Sequence, residues 1–262
     1  IRSLEIKTVD GTPRLCLNGK PYFFHGLLDQ GYWPDGLFTP AHPICYEKDI
    51  RAMKELGFNM LRKHIKVEPA RWYYWCDVLG MMVWQDMPSI GDFAGTQLRS
   101  RDLDVQKAVK NVWSKDSLLG GTECEIPQEW KDNFYNEWTN IMTALRGFQC
   151  IVCWVPFNEA WGQFDTPAVV KLTRELDPTR LINQSSGGNY DLSQGAEGFG
   201  DILDVHHYPC PAMNIFERKF VNVLGEYGGI GYPIEGHTWI IDRKWGYGKV
   251  KENSEELMAQ YE

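Results

Sequence analysis

The sequence predicts an α/β fold, specifically a (β/α)8 TIM barrel that lacks its eighth strand within these 262 residues. Two observations lead to this prediction. Short apolar runs alternate with stretches in which apolar residues recur at helical spacing, as in parallel strands joined by helical crossovers. Polar residues also stand where most of the apolar runs end, and the active sites of such barrels lie at the carboxyl ends of the strands. The length agrees, because a barrel of about 250 residues forms a single domain.

The first residues are predicted to form a β-hairpin ahead of the barrel. The dipeptides Asp10–Gly11 and Asn18–Gly19 favour tight turns, and apolar residues flank them at alternating positions. We therefore divide the chain into a hairpin linker at residues 1–19 and a barrel domain at residues 20–262, truncated at its C-terminal end.

Seven strands are predicted after the hairpin, whereas an eight-stranded barrel needs one more. They cover residues 22–28, 59–64, 81–87, 151–157, 180–184, 202–208 and 221–226. We expect the first and last of them to border a gap. A barrel with this gap is expected to be weakly active or inactive by itself.

Helices and one long loop are predicted between the strands. Helices are expected over residues 46–56, from Pro69 onward, from Pro127 onward and over residues 251–261, because apolar residues recur there at helical spacing. Residues 91–126 are polar, Gly-rich and weakly periodic, which predicts a long active-site loop.

Composition and charge narrow the classes of function. The net charge of −8 argues against a nucleic-acid partner, whose phosphates favour basic surfaces. The apolar runs are much shorter than the roughly 20 residues of a membrane span. The 11 Trp and 12 Tyr residues offer faces that stack on sugar rings, although an aromatic core explains any one of them equally well. Seven cysteines show no close metal-type pairing and leave the compartment open.

The candidate site residues are polar side chains near the ends of the predicted strands. In chain order they are His25, Arg62, His64, Asp86, Asn158, Glu159, His206, Tyr208 and Glu226. Glu159 and Glu226 end the fourth and seventh strands, which face one another across an eight-stranded barrel. Retaining glycoside hydrolysis requires such a pair: one carboxylic acid protonates the leaving oxygen, and a carboxylate about 5–5.5 Å away attacks the anomeric carbon. The sequence therefore predicts a glycosidase site.

The expected neighbours of the two glutamates predict different protonation states. Aromatic residues flank Glu159 in the sequence, and apolar surroundings favour a carboxyl group that donates a proton. Arg62 and Tyr208 are expected near Glu226, where a cation and a hydroxyl donor would keep the carboxylate ionised.

Five segments carry a resemblance to a known family. They are 17–21 (LNGKP), 58–64 (FNMLRKH), 83–88 (VWQDMP), 154–161 (WVPFNEAW) and 224–229 (LGEYGG). Together they resemble glycoside hydrolase family 2, within the clan of 4/7 barrels. The resemblance implies hydrolysis of terminal β-linked sugars by double displacement, with a carbohydrate as the partner. No cofactor or metal is expected, because the two carboxyl groups suffice for this chemistry.

The resemblance also implies a role for each candidate residue. Glu159 would be the acid/base, Glu226 the nucleophile oriented by Tyr208 and Arg62, and Asn158 would bind the sugar 2-hydroxyl. The remaining candidates would line the sugar pocket: His25, His64, Asp86, Trp161 and His206. Family members usually carry two sandwich domains before the barrel and a platform Trp on the eighth strand. We therefore expect this chain to be a barrel excised from a longer protein.

Three other interpretations stay open. An inactive carbohydrate-binding barrel would account for the missing strand, but binding alone does not need two such glutamates. An endo-β-glycanase of the mannanase or cellulase type would share the glutamate pair. A metal-dependent hydrolase usually has a His-x-His on its first strand, and here its ligands would be drawn from His25, His64, Asp86, His206 and His207. The sugar and its linkage do not follow from the sequence, and an oligomer is compatible with it.

Overall fold

The computed structural model describes residues 2–90, 123, 126–159, 161–188, 200–213, 215–238 and 245–262. An antiparallel hairpin opens the chain, with β1 at Leu4–Val9, β2 at Thr12–Leu17 and β3 at Lys20–Pro21. Asp10 and Asn18 both have a φ of 50°, and the glycine after each also has a positive φ. This is the backbone of a type I′ turn, so the two predicted turns are confirmed.

The described residues contain seven further strands, which are parallel within two sheets. They are β4 at Gly26–Asp29, β5 at Met60–Lys63, β6 at Met82–Asp86, β7 at Ile151–Val155, β8 at Leu181–Ile182, β9 at Ile202–His206 and β10 at Val221–Glu226. The strands β4 to β8 form one sheet in that order, and β9 pairs with β10. The Asp201 amide donates to the Ile182 carbonyl at 2.7 Å, which links the two sheets. All seven predicted strands are present, although β4 begins at Gly26 rather than at Tyr22.

The two outermost of these strands, β4 and β10, share no ladder within the described part of the chain. A cavity of about 610 Å³ lies between them, lined by residues of both strands such as Leu27 and Leu224. Leu15 of the hairpin also lines this cavity. The described residues therefore form an open arc with its gap between the first and last predicted strands, and a closed barrel is not seen in them.

The helices cover one face of the strands. They are α1 at Ile44–Glu55, α2 at Ala70–Leu79, α3 at Gln128–Leu145 and α4 at Thr166–Leu176, with α5 at Ser254–Tyr261 near the end of the chain. The first four helices bury apolar side chains in one cluster with side chains of the strands. In this cluster Trp138 of α3 packs on Trp154 of β7, with the ring centroids 5.7 Å apart. A second apolar cluster, which includes Trp84 and Val155, lies on the other face of the strands. Helix α4 is absent from the predicted elements, and the helix predicted from Pro127 onward is present as α3, with Trp138 buried.

Most of the predicted active-site loop at 91–126 lies outside the described residues. Within the part of the chain that the structure describes, no helix has the length and apolar character needed to cross a membrane.

Candidate active site

A buried arginine joins the carboxyl ends of four strands. Arg62 of β5 is 2% exposed. Its Nε and Nη2 donate to Asp86 Oδ1 and Oδ2 of β6 at 3.0 and 2.8 Å. Nη1 donates to Glu226 Oε1 of β10 at 2.7 Å, and Nη2 also donates to Asn158 Oδ1, just after β7, at 2.7 Å. Because the guanidinium is a rigid planar fork of donors, it orients these groups relative to one another.

Glu226 is held in its ionised form. Burial acts to raise the pKa of this carboxyl group, but opposing contributions, led by the charge of Arg62 and including a hydrogen bond from Tyr208, outweigh burial and lower it. The Tyr208 hydroxyl donates to Glu226 Oε2 at 2.5 Å. Burial and the charge of Glu226 raise the pKa of Tyr208, so the phenol keeps the proton that it donates. The expected contacts of Glu226 with Arg62 and Tyr208 are therefore present.

The structure also brings His64 and Asp86 to this site. His64 Nε2 lies 3.6 Å from Glu226 Oε1, and its Nδ1 lies 3.2 Å from Gln30 Nε2. Burial lowers the pKa of His64, which favours the neutral imidazole. Burial raises the pKa of Asp86, and its bidentate pairing with Arg62 works in the opposite direction.

Glu159 faces Glu226 across a histidine. The Glu159 backbone has a φ of 50°, and its amide donates to the Ser186 carbonyl at 2.7 Å. His206 Nδ1 lies 2.9 Å from Glu159 Oε1 and 3.5 Å from Glu226 Oε2. One oxygen of each carboxyl group and a ring nitrogen of His206 all lie within 4.8 Å of one another. The two carboxyl groups thus share one edge of the strands, with one oxygen of each within 4.8 Å of the other.

Two of the aromatic residues that flank Glu159 in the sequence pack against the helices. Trp154 packs edge-to-face on Trp138 at 5.7 Å, and Phe157 stacks on Phe134 at 5.2 Å. Both lie in the apolar cluster that faces the helices. Trp154 lies on the side of β7 that faces the helices, and Phe157, just after the end of β7, packs in the same cluster. The expectation that these aromatic residues form the environment of Glu159 is therefore wrong for Trp154 and Phe157, and for Trp161 it stays a prediction.

His25 lies at the opposite end of its strand from the site. It precedes β4, where its amide donates to Asn59 Oδ1 at 2.9 Å and its ring contacts Phe58 at a centroid distance of 4.6 Å. The register pairs Leu28, not His25, with Arg62. The expectation that His25 lines the sugar pocket is wrong, because the strand begins after this residue and does not end at it.

Trp161 follows Glu159 in the turn after β7. Its amide donates to the Asn158 carbonyl at 2.9 Å, so its backbone is tied to the site. The role of its half-buried ring in sugar binding stays a prediction.

Glu159, His206 and Glu226 are the described residues whose ligand atoms lie close enough together to share a metal ion. The guanidinium of Arg62 lies 2.7 Å from Glu226 Oε1, and a buried positive charge at this distance disfavours a second cation. The set of ligands considered for a metal-dependent hydrolase does not converge. His25 lies at the far end of β4, and His207 Nδ1 lies 2.7 Å from the Cys210 carbonyl.

Two polar residues outside the sequence-based candidates complete the site. Ser186 Oγ donates to Asp204 Oδ2 at 2.5 Å and lies 2.8 Å from His206 Nε2. The fifth predicted strand contributes no candidate, although the polar run 183–186 stands at its end. Asp204 is a charged residue with apolar neighbours on both sides within β9, which is itself a signal of function.

An aromatic residue also approaches the site from the segment after β10. The ring of Tyr247 stacks on that of Tyr208 at 3.8 Å and 16°. Its amide donates to the Gly229 carbonyl at 2.9 Å, and a Cβ on Gly229 would lie 2.5 Å from the Tyr247 ring. The glycine therefore makes room for this stack.

Parallel strands with a layer of helices, and a facing pair of carboxyl groups at the carboxyl edge, are features of the α/β-barrel glycosidases. The family model described as "Glycosyl hydrolases family 2, TIM barrel domain" matches residues 9–208. The chain belongs to this family.

Curated relatives and solved structures agree with this family. A β-galactosidase from Photobacterium profundum is 22% identical over 71% of this chain, and a putative β-glucuronidase from Formosa agariphila is 23% identical over 75%. The aligned regions span 15% and 16% of the length of these two relatives. The structure of a β-D-glucuronidase from Dictyoglomus thermophilum aligns with a TM-score of 0.63 at 16% identity, over 91% of this chain and 41% of that one. At this identity the structural likeness concerns the fold.

Proposed function

We propose that this chain is the catalytic barrel of a retaining β-glycosidase that hydrolyses terminal β-linked sugars. Residues 20–262 would form the barrel domain and residues 1–19 the hairpin leading into it. The observation that carries the proposal is the pair of carboxyl groups, which have oxygens within 4.8 Å of each other and different partners. Hydrolysis with retention needs one carboxylate and one carboxylic acid at about this spacing.

In the proposed mechanism Glu226 attacks the anomeric carbon while Glu159 protonates the leaving oxygen. Arg62 and Tyr208 support the role of Glu226, because both donate to its oxygens and lower its pKa. A covalent glycosyl ester forms as the bond to the leaving group breaks. Glu159 then takes a proton from water, whose oxygen displaces Glu226 from the anomeric carbon and preserves the β configuration.

Unpartnered polar atoms support sugar binding at the same place. Within the described residues, the buried Asn158 Nδ2 has no hydrogen-bond partner, while its Oδ1 accepts from Arg62. An unmet buried donor costs free energy, so a ligand that accepts from it is favoured. A sugar 2-hydroxyl next to the attacked carbon would supply this acceptor.

One observation favours a second candidate, an inactive carbohydrate-binding barrel. The cavity between β4 and β10 leaves the described site open on one side. A site that is open on this side would retain the carboxyl groups and could bind a sugar, but it would not exclude water.

The protein expressed from its complete reading frame should be assayed on 4-nitrophenyl β-galactoside, β-glucuronide, β-mannoside and β-glucoside. We expect one of them to be hydrolysed, the β anomer to appear first in the proton NMR spectrum of the product, and the rate to survive exhaustive chelation. Glu226→Ala should abolish turnover. First appearance of the α anomer would contradict the retaining mechanism, and sugar binding without turnover would support the second candidate.

A further inference from the structure

A continuous chain of hydrogen-bond contacts runs from the interior of the sheet to Glu159. It begins at Asp204 Oδ2, which accepts from Ser186 Oγ at 2.5 Å. Ser186 Oγ lies 2.8 Å from His206 Nε2, and His206 Nδ1 lies 2.9 Å from Glu159 Oε1. Ser186 and Asp204 are fully buried, and the His206 side chain is 1% exposed. Water therefore has little access to these contacts.

The hydrogen positions along this chain follow from simple counting. A serine hydroxyl has one hydrogen, and Ser186 donates it to Asp204. Ser186 Oγ can then only accept from His206, so Nε2 must carry the imidazole hydrogen. In a neutral imidazole the other nitrogen is an acceptor. Nδ1 is therefore ready to accept a hydrogen from Glu159, which has one to donate only when it is protonated.

The other charged groups around His206 lie farther away than these partners. Arg62 Nη1 is 3.4 Å from Nε2, and it already donates to Glu226 at 2.7 Å. Glu226 Oε2 is 3.5 Å from Nδ1, and Asp204 Oδ2 is 4.0 Å from Nε2. The short contacts with Ser186 and Glu159 therefore decide which nitrogen carries the hydrogen.

Two glycines leave room for this chain of contacts. A Cβ on Gly187 would lie 2.3 Å from His206 Nδ1, and a Cβ on Gly225 of β10 would lie 2.1 Å from Asp204 Oδ1. Neither position tolerates a side chain without moving the group beside it. The positions of the imidazole and the buried carboxyl group are thus specified from two different segments of the backbone.

We propose that Ser186 and Asp204 are positioning residues that fix the tautomer of His206 and thereby hold Glu159 in the geometry of a proton donor. This inference rests on the proposed role of Glu159 as the acid/base. In the first step Glu159 gives up the single hydrogen that it shares with His206 Nδ1, and this hydrogen goes to the leaving oxygen as the glycosidic bond breaks and the bond to Glu226 forms. In the second step Glu159 regains a proton from the attacking water. His206 keeps its Nε2 hydrogen in both steps.

The dependence of kcat/KM on the leaving group tests the proposal. An activated leaving group departs without receiving a proton, whereas a poor leaving group needs one. The variants are Ser186→Ala and the neighbouring Ser185→Ala as a matched control. Both serines are fully buried, but Ser185 Oγ lies 2.8 Å from Gln163 Oε1 instead. For each variant, kcat/KM is measured on the 2,4-dinitrophenyl and the methyl β-glycoside of the preferred sugar. Glu159→Ala provides the reference for complete loss of the acid.

We expect Ser186→Ala to lower kcat/KM for the methyl glycoside about tenfold more than for the dinitrophenyl glycoside, which is the size of one hydrogen bond to a catalytic group. Ser185→Ala should lower both equally, and Ser186→Thr, which keeps the hydroxyl, should restore the ratio of the parent protein. Equal losses on both substrates for Ser186→Ala would overturn the proposal. If Glu159→Ala itself shows no dependence on the leaving group, the proposed acid/base role fails instead.

A second measurement does not depend on turnover. Nitrogen-15 chemical shifts of labelled His206 should show the hydrogen on Nε2 in the parent protein and a mixture of tautomers in Ser186→Ala. A parent protein with the hydrogen on Nδ1 would contradict the proposal even if Ser186→Ala did not fold.

Discussion

The two carboxyl groups of the site are held by different kinds of contact. Glu226 meets a full positive charge, because Arg62 donates to it from 2.7 Å within a buried network that also includes Asp86. Glu159 meets an imidazole whose far side contacts Ser186. The proposed reaction needs one ionised and one protonated carboxyl group, and this difference in contacts supports that proposal. A permanent cation stabilises the carboxylate, whereas a neutral acceptor accommodates the acid.

The difference also predicts how each carboxyl group and the residues that contact it respond to mutation. We call these two groups of residues the Glu226 side and the Glu159 side. Removing one member of a buried ion pair leaves an uncompensated charge, while removing a neutral hydrogen-bond partner costs less. The Glu226 side should therefore depend on its contacts for stability as well as for chemistry. The Glu159 side should depend on them mainly for chemistry.

The largest effect is expected for Arg62→Met, which removes the charge and retains much of the volume. It leaves Asp86 and Glu226 buried without their cation, so the free energy of unfolding should fall by about 3–5 kcal/mol. Chemical denaturation measures this loss. The control is Arg174→Met, whose ion pair with Asp201 is half-exposed and should contribute less than about 1 kcal/mol. Equal losses for the two variants would contradict the ionic account of the Glu226 side.

Tyr208→Phe should change the pH dependence of activity. The Tyr208 hydroxyl helps to lower the pKa of Glu226. Because Glu226 must be ionised to act as the proposed nucleophile, we expect activity to fall as the pH drops through that pKa. Without the hydroxyl the pKa rises, and the acidic limb of the kcat/KM profile should move to higher pH. The stability that Glu226 gains from its lowered pKa is present above the pKa of the unfolded state and is lost as the pH falls through the folded value.

The comparison between the two sides supplies the control for this experiment. Ser186→Ala acts on Glu159 and leaves the donors to Glu226 in place, so its acidic limb should stay where the parent protein has it. An acidic limb that does not move in Tyr208→Phe, or that moves equally in both variants, would show that the two sides are not separate.

A smaller effect is expected for Tyr247, which stacks on Tyr208 from outside the hydrogen-bonded network. An aromatic pair contributes about 0.5–1.5 kcal/mol beyond the area that it buries, so Tyr247→Ala should lower kcat/KM by about twofold to tenfold. Tyr247→Phe keeps the stack and should be close to the parent protein. Tyr261→Ala, at a 70% exposed position of α5, is the control. If Tyr247→Phe lowers kcat/KM as much as Tyr247→Ala does, the effect comes from the hydroxyl group and not from the stack.

Much of the Glu226 side could be predicted from the sequence. Arg62, Asp86, Tyr208 and Glu226 are polar residues where apolar runs end, and the carboxyl ends of parallel strands meet at one edge. His25 was misplaced by the same rule, because the apolar run around it begins before the strand does. Because β4 has only 4 residues, an error of a few residues in its predicted boundary places a side chain at the wrong end of the strand.

The Glu159 side was harder to predict because its contacts depend on tertiary structure. The expectation of an aromatic environment relied on sequence neighbours, which the strand directs toward the helices. The side chains of Ser186 and Asp204 reach the Glu159 carboxyl group through His206. No spacing in the sequence encodes a contact that joins β9 to the segments after β7 and β8. The polar run after β8 and the lone acid within β9 were the available signals.

The most direct test of the account is to trap the covalent intermediate. A 2,4-dinitrophenyl 2-deoxy-2-fluoro-β-glycoside of the preferred sugar should inactivate the protein, since the fluorine slows hydrolysis of the glycosyl ester more than its formation. Peptide mass spectrometry should then find one sugar on the peptide that contains Glu226, and none on the peptide that contains Glu159. A label on Glu159, or a protein that turns over the parent glycoside without being labelled at Glu226, would contradict the assignment of the two carboxyl groups.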